Sequence, residues 1–181
     1  MSNLLQVAHL GHPILRQKAK PVKHIADIKV QKLIDDMIAT VMDVDGVGIS
    51  APQVYQSWQI FIMASHPNPR YPYAPEMPPT AILNPKILFH SQAIEKDWEG
   101  CLSIPGVRAL VPRWKEVKVN YYTRKGHKTS ATYDTFLARI FQHELDHLNG
   151  KVFFDRLDSL KDIYMEKEFQ KIIAKRNAKA K

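Results

Sequence analysis

The segment Phe141–Gly150 reads FQHELDHLNG, with His143 and His147 four residues apart and Glu144 directly after the first histidine. On a helix, side chains at i and i+4 share one face about one turn apart, so two imidazoles in this pattern can grip one metal ion. The glutamate is then angled towards the open side of that ion, where it can move a proton. The flanking residues support a helix. Leu137, Ile140, Phe141, Leu145 and Leu148 keep its period, which predicts an element from about Thr135 to His147. The plainer alternative is an amphipathic helix whose histidines face solvent.

Outward from this helix, the texture is that of strands. Residues 115–123 (KEVKVNYYT) alternate Val117, Val119 and Tyr121, and the turn RKGH leads into KTSATY, which predicts a β-hairpin. QIFIMAS (59–65) reads as a buried strand and TAILNPKILF (80–89) as a pair of extended segments. An earlier helix is predicted from Val30, Leu33, Ile34, Met37, Ile38 and Val41, with Asp27 as its cap and Gly46 just beyond its end. A last helix is expected to start at Asp155 or Asp158, with Leu160, Ile163, Tyr164, Phe169, Ile172 and Ile173 as its apolar positions. Strands clustered between helices, without repeating βαβ units, predict an α+β fold. The length predicts one domain over 1–181, with a basic helical tail at about 158–181.

Composition narrows the classes. Apolar residues make up 45% and charged residues 24%, which suits a globular chain rather than a disordered one. No apolar run approaches the ~20 residues of a membrane-spanning helix. The opening MSNLLQVAHLGHP has no positive n-region and no long apolar core, so neither a secretory signal nor a transit peptide is expected, and a cytoplasmic location is. A lone cysteine, Cys101, excludes an intrachain disulfide and leaves a thiol for chemistry. The net charge of +8 is concentrated towards the end, where Lys171–Lys181 holds five basic residues and no acid. That segment reads as a solvated helix end or as a docking tail for a polyanion. HPNPRYPYAPEMPP (66–79) holds six of the twelve prolines and is expected to be a loop, either a structural insertion or part of a substrate rim.

A catalytic metal site usually has three protein ligands and one open position. A third histidine six residues after His147 is excluded, because Phe153 stands there. A glutamate about twenty residues downstream remains open, with Glu166 and Glu168 near that spacing, as in thermolysin-like proteases. Cys101 is the other candidate, since a thiolate binds iron or zinc strongly. Its setting, EGCLSIPG (99–106), reads as a glycine-flanked turn. A buried, inert cysteine is the alternative.

GVGISAPQ (46–53) adds a glycine-rich loop followed by a glutamine, a residue able to donate to a developing oxyanion. Taken together and in this order, GVGISAPQ, EGCLS and QHELDH resemble the three signature motifs of the peptide deformylases, and LGHPILR near the start fits as well. The resemblance runs from about His9 to Leu157. It implies an α+β fold in which a twisted, mostly antiparallel sheet surrounds the HExxH helix. It implies Cys101, His143 and His147 as metal ligands with water in the fourth position, Glu144 as general acid/base, and Gln53 and the Leu102 N–H as oxyanion donors. The metal it implies is ferrous iron, with zinc or nickel able to substitute.

The implied reaction removes the N-formyl group from the formyl-methionine of nascent peptides and releases formate. Val47, Gly48 and Gly100 match positions where the peptide runs as an added strand, and Arg108 matches a rim arginine. Val47, Phe136 and Ile140 are expected around the methionine side chain. Glu99 and Arg113 match a charged pair that supports the cysteine loop. The basic tail is expected to contact the ribosome. Two departures stand out: Ser50 replaces a common alanine, a change of little expected consequence, and Arg139 lies where many bacterial relatives are apolar. The competing function is an HExxH zinc endopeptidase using Glu166.

Overall fold

The structure is a computed structural model that describes residues 2–179, and side chains as far as Lys175, so the last part of the basic tail at 176–181 lies outside the described side chains. Three helices are described: α1 (Ile28–Asp43), α2 (Thr135–Leu148) and α3 (Glu166–Lys179). Eight strands follow in chain order as β1 (Gly48–Ser50), β2 (Ile60–Met63), β3 (Thr80–His90) and β4 (Ile94–Cys101), then β5 (Ile104–Trp114), β6 (Glu116–Tyr122), β7 (Lys128–Asp134) and β8 (Ile163–Met165). They form two antiparallel sheets, one in the order β1-β2-β3-β6-β7 and one in the order β4-β5-β8. The fold is α+β, as the element order predicts.

The first sheet is covered by a helix on each face, and the alternation within β2 shows how. Ile60 and Ile62 pack with Val30, Ile34, Met37 and Val41 of α1. Phe61 and Met63, pointing the other way, pack with Ile140 and Phe141 of α2. A strand buried on both faces reads as an unbroken apolar run, which is why 59–65 is so clear in the sequence. Phe61 meets Phe141 edge-on with ring centres 5.2 Å apart, a favourable aromatic arrangement. Helix α1 begins as predicted. The Asp27 carboxylate accepts from the Lys29 N–H at 2.8 Å, satisfying a donor that a helix start leaves unpaired.

Three expectations are corrected. The segment 80–89 is one bulged strand rather than two, because Asn84 takes a positive φ of 49° and its amide bonds both backbone groups of Val22. Asparagine tolerates that conformation. The last helix begins at Glu166, not at Asp155 or Asp158. Residues 153–156 and 160–162 are 3-10 turns, and Ile163–Met165 pairs with Val107–Ala109 of β5 as strand β8. The open edge of β5 captures these residues, which would otherwise continue a helical pattern. Finally, Cys101 is not in an irregular turn but closes β4, and Leu102–Ser103 connects it to β5. Strand β4 is mostly exposed and charged, and β5 contains Pro105, Gly106 and Pro112, so neither shows the apolar alternation that marks a strand.

Candidate active site

The histidines come from the second half of α2, His147 from its last turn, and the cysteine from the end of β4. Candidate ligand atoms of Cys101, His143 and His147 all lie within 4.8 Å of one another. The Cys101 Sγ is 3.3 Å from the His147 Nε2. Metal–ligand bonds of about 2.0–2.3 Å put neighbouring donors of a tetrahedral ion roughly 3.5 Å apart. One thiolate and two imidazoles at this spacing fit a transition metal such as iron, zinc or nickel. Among the described residues, this is the group of histidine, cysteine and acidic side chains that comes together in this way. Glu166 is not in it. Its carboxylate accepts instead from Arg108 Nε at 2.6 Å and from Gln170 at 2.8 Å. It is half-buried at the start of α3 rather than fully exposed.

Behind the ligands stands a buried set of charges. Glu99 accepts from His143 Nδ1 at 2.8 Å, which fixes the tautomer and leaves Nε2 for a metal. The same carboxylate takes two bonds from Arg113 and one from Arg139. Burial alone would raise the Glu99 pKa, but Arg113 and His143 hold it well below the usual carboxylate range. Arg113 continues to Asp146, which also receives Arg156. Removing one member of such a buried set costs about 3–5 kcal/mol, because its partner is left charged and dry. Cys101 is pulled down to about 5 against the opposing effect of burial, by the charge of His147 and its bond with His143. The thiolate is therefore the form this site favours.

Glu144 is buried, its Oε2 has no hydrogen-bond partner, and burial pushes its pKa up to about 7. A carboxyl group poised near neutrality can both accept and return a proton. Gly48 makes room for it: a Cβ there would stand 2.6 Å from Glu144 Oε1. Gly48→Ala is therefore expected to displace the carboxylate and lower kcat by about 10–10² with metal content unchanged. Steady-state kinetics and metal analysis of the purified variant check this, and wild-type kcat would show that the loop yields without disturbing Glu144. Gly100 has a similar constraint, since a Cβ would lie 1.9 Å from Arg108 Nη1.

Gln53 sits in the 3-10 turn Ala51–Val54 that follows β1. Its Oε1 accepts from the Ser50 N–H at 2.8 Å and from the Ser50 hydroxyl at 3.0 Å, so the amide N–H group faces the site. From there Nε2 reaches Cys101 Sγ at 3.4 Å and Ser103 Oγ at 3.2 Å. Ser50 thus does more than replace an alanine of similar size, because its hydroxyl adds a second bond that orients Gln53. Ala8 and Leu10 tie the two loops together, donating to the Gln53 and Ser103 carbonyls at 2.7 and 2.8 Å. Leu102, in the turn after Cys101, lines the same space.

A cavity of about 360 Å³ opens onto this cluster. Val47, Gly48 and Gln53 line one side, and Gly100, Cys101, Leu102 and Arg108 another. Phe136, Ile140, His143 and Glu144 of α2 complete it. Every site residue expected from the sequence meets here except His147, which is fully buried behind the others. Arg70, Tyr71, Trp98 and Glu166 also line it; Trp98 carried no sequence signal, Arg70 and Tyr71 belong to the segment for which a substrate rim was one of two expectations, and Glu166 reaches the wall without joining the metal cluster. Arg70 and Tyr71 come from the proline-rich segment, which is pinned by Ser65 through bonds to Pro75 and Met77. The Tyr71 ring lies 5.0 Å from that of Phe136, and its hydroxyl accepts from Arg108 at 3.2 Å. The proline count marks the loop, but nothing in it shows which way the loop folds.

Residues 4–162 match the family model described as polypeptide deformylase. A peptide deformylase 2 from Nostoc sp. is 54% identical over 172 residues, covering 95% of this chain and 96% of that protein. The chain belongs to the peptide deformylase family. Solved structures of deformylases agree with this. A class I type b peptide deformylase from Acinetobacter baumannii, bound to Met-Ala-Ser, is 46% identical, with a TM-score of 0.85 over 87% of this chain and all of that one. A peptide deformylase from Synechococcus elongatus in complex with actinonin is 38% identical, with a TM-score of 0.78 over 87% of this chain and 81% of that one. Deformylases are metal-dependent hydrolases, and the Cys101, His143 and His147 cluster offers such a metal a place.

Proposed function

We propose that this deformylase removes the formyl group from N-formyl-methionyl peptides at the Cys101–His143–His147 cluster, with ferrous iron as the metal and zinc or nickel able to replace it. The observation that carries this reading is the convergence of a thiolate, an imidazole, an unpartnered carboxylate and an oriented amide on one cavity, with the second imidazole buried directly behind them. When bound, such a metal polarises a carbonyl and lowers the pKa of its water towards neutrality.

The remaining roles belong to the chain. The peptide lies along Val47–Gly48 on one side and Gly100 on the other, adding a strand by backbone bonds. The methionine side chain is received by Val47, Phe136 and Ile140, and Arg108 stands at the rim. Gln53 Nε2 and the Leu102 N–H donate to the developing oxyanion, the type of interaction that contributes most to such reactions. Glu144 accepts a proton at Oε2 from the water that adds to the formyl carbon and hands it to the amine as the C–N bond breaks, leaving formate and a free α-amine. Formate release from formyl-Met-Ala-Ser by anaerobically purified protein tests the reading. No formate above a metal-free control would overturn it.

The endopeptidase reading needs Glu166 as a ligand, and Arg108 and Gln170 already hold that carboxylate. For the tail, the density of cations in Lys171–Lys181 supports contact with a polyanionic surface, which for this activity is the ribosome. Deleting that segment is expected to leave hydrolysis of a short formyl-peptide intact. It should weaken ribosome co-sedimentation and flatten its dependence on salt. Unchanged co-sedimentation would leave the tail as a solvated helix end. No helix among the described residues is long and apolar enough to cross a membrane.

A further inference from the structure

We infer that Arg139 is a positioning residue that sets the Cys101 strand against the histidines of α2. The inference rests on the ligand assignment above. The cysteine and the histidines belong to separate parts of the fold, each with its own apolar core, and only a few apolar contacts, such as that of the Phe153 ring with His143, cross between them at the site. Helix α2 shares its core with the first sheet through Phe61, Val117, Ile140 and Phe141. The second sheet has its own, built from Ile104, Ala109, Val111, Val152 and Phe153. Between them lie the buried charges Glu99, Arg113, Arg139 and Asp146.

Arg139 spans that boundary. From α2, one turn before His143, its Nη1 donates to the Val111 carbonyl at 2.7 Å and to Glu99 Oε1 at 2.9 Å, and its Nη2 to the Glu95 carbonyl at 2.7 Å. A longer contact of 3.4 Å reaches the Asp97 carbonyl. Val111 and Asp97 are cross-strand partners, so one guanidinium grips β4 and β5 together. The planar fork of arginine suits this, and a lysine ammonium does not reproduce it.

Balancing the charge of Glu99 does not require Arg139, because Arg113 already gives that carboxylate two bonds. What Arg139 adds is the hold on the strand. The ladder between β4 and β5 slips between Glu99 and Cys101, so regular pairing does not by itself carry the register through to the cysteine. A pin at Glu95 and Val111, with a third bond to Glu99, fixes the strand just before that slip.

The test uses full-length Arg139→Met and Arg139→Lys, with Cys101→Ser as a control. Each is titrated with cobalt against a competing chelator, following the sulfur-to-cobalt charge-transfer band, and amide exchange is measured in parallel. Arg139→Met is expected to lose cobalt affinity by about 10–100-fold and to weaken the band. Its β4 amides should exchange at least about tenfold faster while those of β2 and β6 keep wild-type protection. Arg139→Lys should fall between the two, because it keeps the charge and loses the fork. If Arg139→Met does not fold, Arg139→Lys carries the test with the same readouts. A folded Arg139 variant with wild-type cobalt affinity, band and β4 protection would overturn the inference. If Cys101→Ser itself binds cobalt like wild type, the ligand assignment fails instead, and the two failures are distinguished.

Discussion

Glu144→Gln is expected to keep its metal and lose about 10²–10⁴ in kcat, a drop read directly from formate release at saturating formyl-peptide. The two side chains have nearly the same shape, so the substitution isolates one property, the ability to take up and return a proton. Glu144 is suited to that work by its surroundings. It lies beside His143, in contact range of Gly48, with one oxygen facing no partner and a pKa raised by burial to about 7. Nothing in its placement ties it to the charges that hold the fold, which pass through Glu99, Arg113, Asp146 and Arg156. The variant should therefore unfold at close to the wild-type temperature and bind cobalt with wild-type affinity. Activity near wild type would remove Glu144 from the mechanism. Loss of metal together with activity would make it a structural support of the histidines.

The parts of this molecule that are legible in the sequence share one property: a single local pattern determines them. Helix α1 shows a clean apolar stripe and an aspartate cap. β2 is an apolar run because it is covered on both faces, and the β6–β7 hairpin alternates on either side of a glycine turn. The three motifs can be read because catalysis constrains residue type at short range, as Gly48 shows by leaving space for a carboxylate. Where pairing partners are distant, the signal fades. β8 has a helical pattern until the edge of β5 is present to pair with it, and β4 carries charges because its first four residues are exposed on both faces.

Arg139 illustrates a different limit. On the helix it stands at a position that pattern reading would give to an apolar side chain, and it is buried. Its four acceptors lie 28 to 44 residues away in sequence, so they are invisible before the fold brings them together. Ser50 and Glu166 belong with it. By sequence Ser50 is a neutral replacement for alanine, yet its hydroxyl orients Gln53. Glu166 has the pattern of an exposed helix residue, yet it holds the rim arginine. In each case the residue type was plain, and the partner decided the role.

Cys101→Ser should lose the sulfur-to-cobalt charge-transfer band, most of the metal affinity and the deformylase activity together. A serine hydroxyl stays protonated near neutral pH and is a poor ligand for a transition metal, whereas the thiolate is already the favoured form at this site. The loss should not arise from unfolding, because Cys101 ends a strand whose neighbours Ile104, Ala109 and Val111 keep their own apolar core. Glu166→Gln is the informative contrast, since Glu166 is the ligand that the protease reading requires. With its carboxylate given to Arg108 at 2.6 Å, that variant should retain cobalt and kcat. Its effect should appear in KM, because Arg108 packs against Gly100, where the substrate strand is placed. Chelator titration and steady-state kinetics on both variants separate the readings. Cobalt lost from Glu166→Gln and kept in Cys101→Ser would move the third ligand from β4 to α3, a result the distances around Cys101, His143 and His147 argue against.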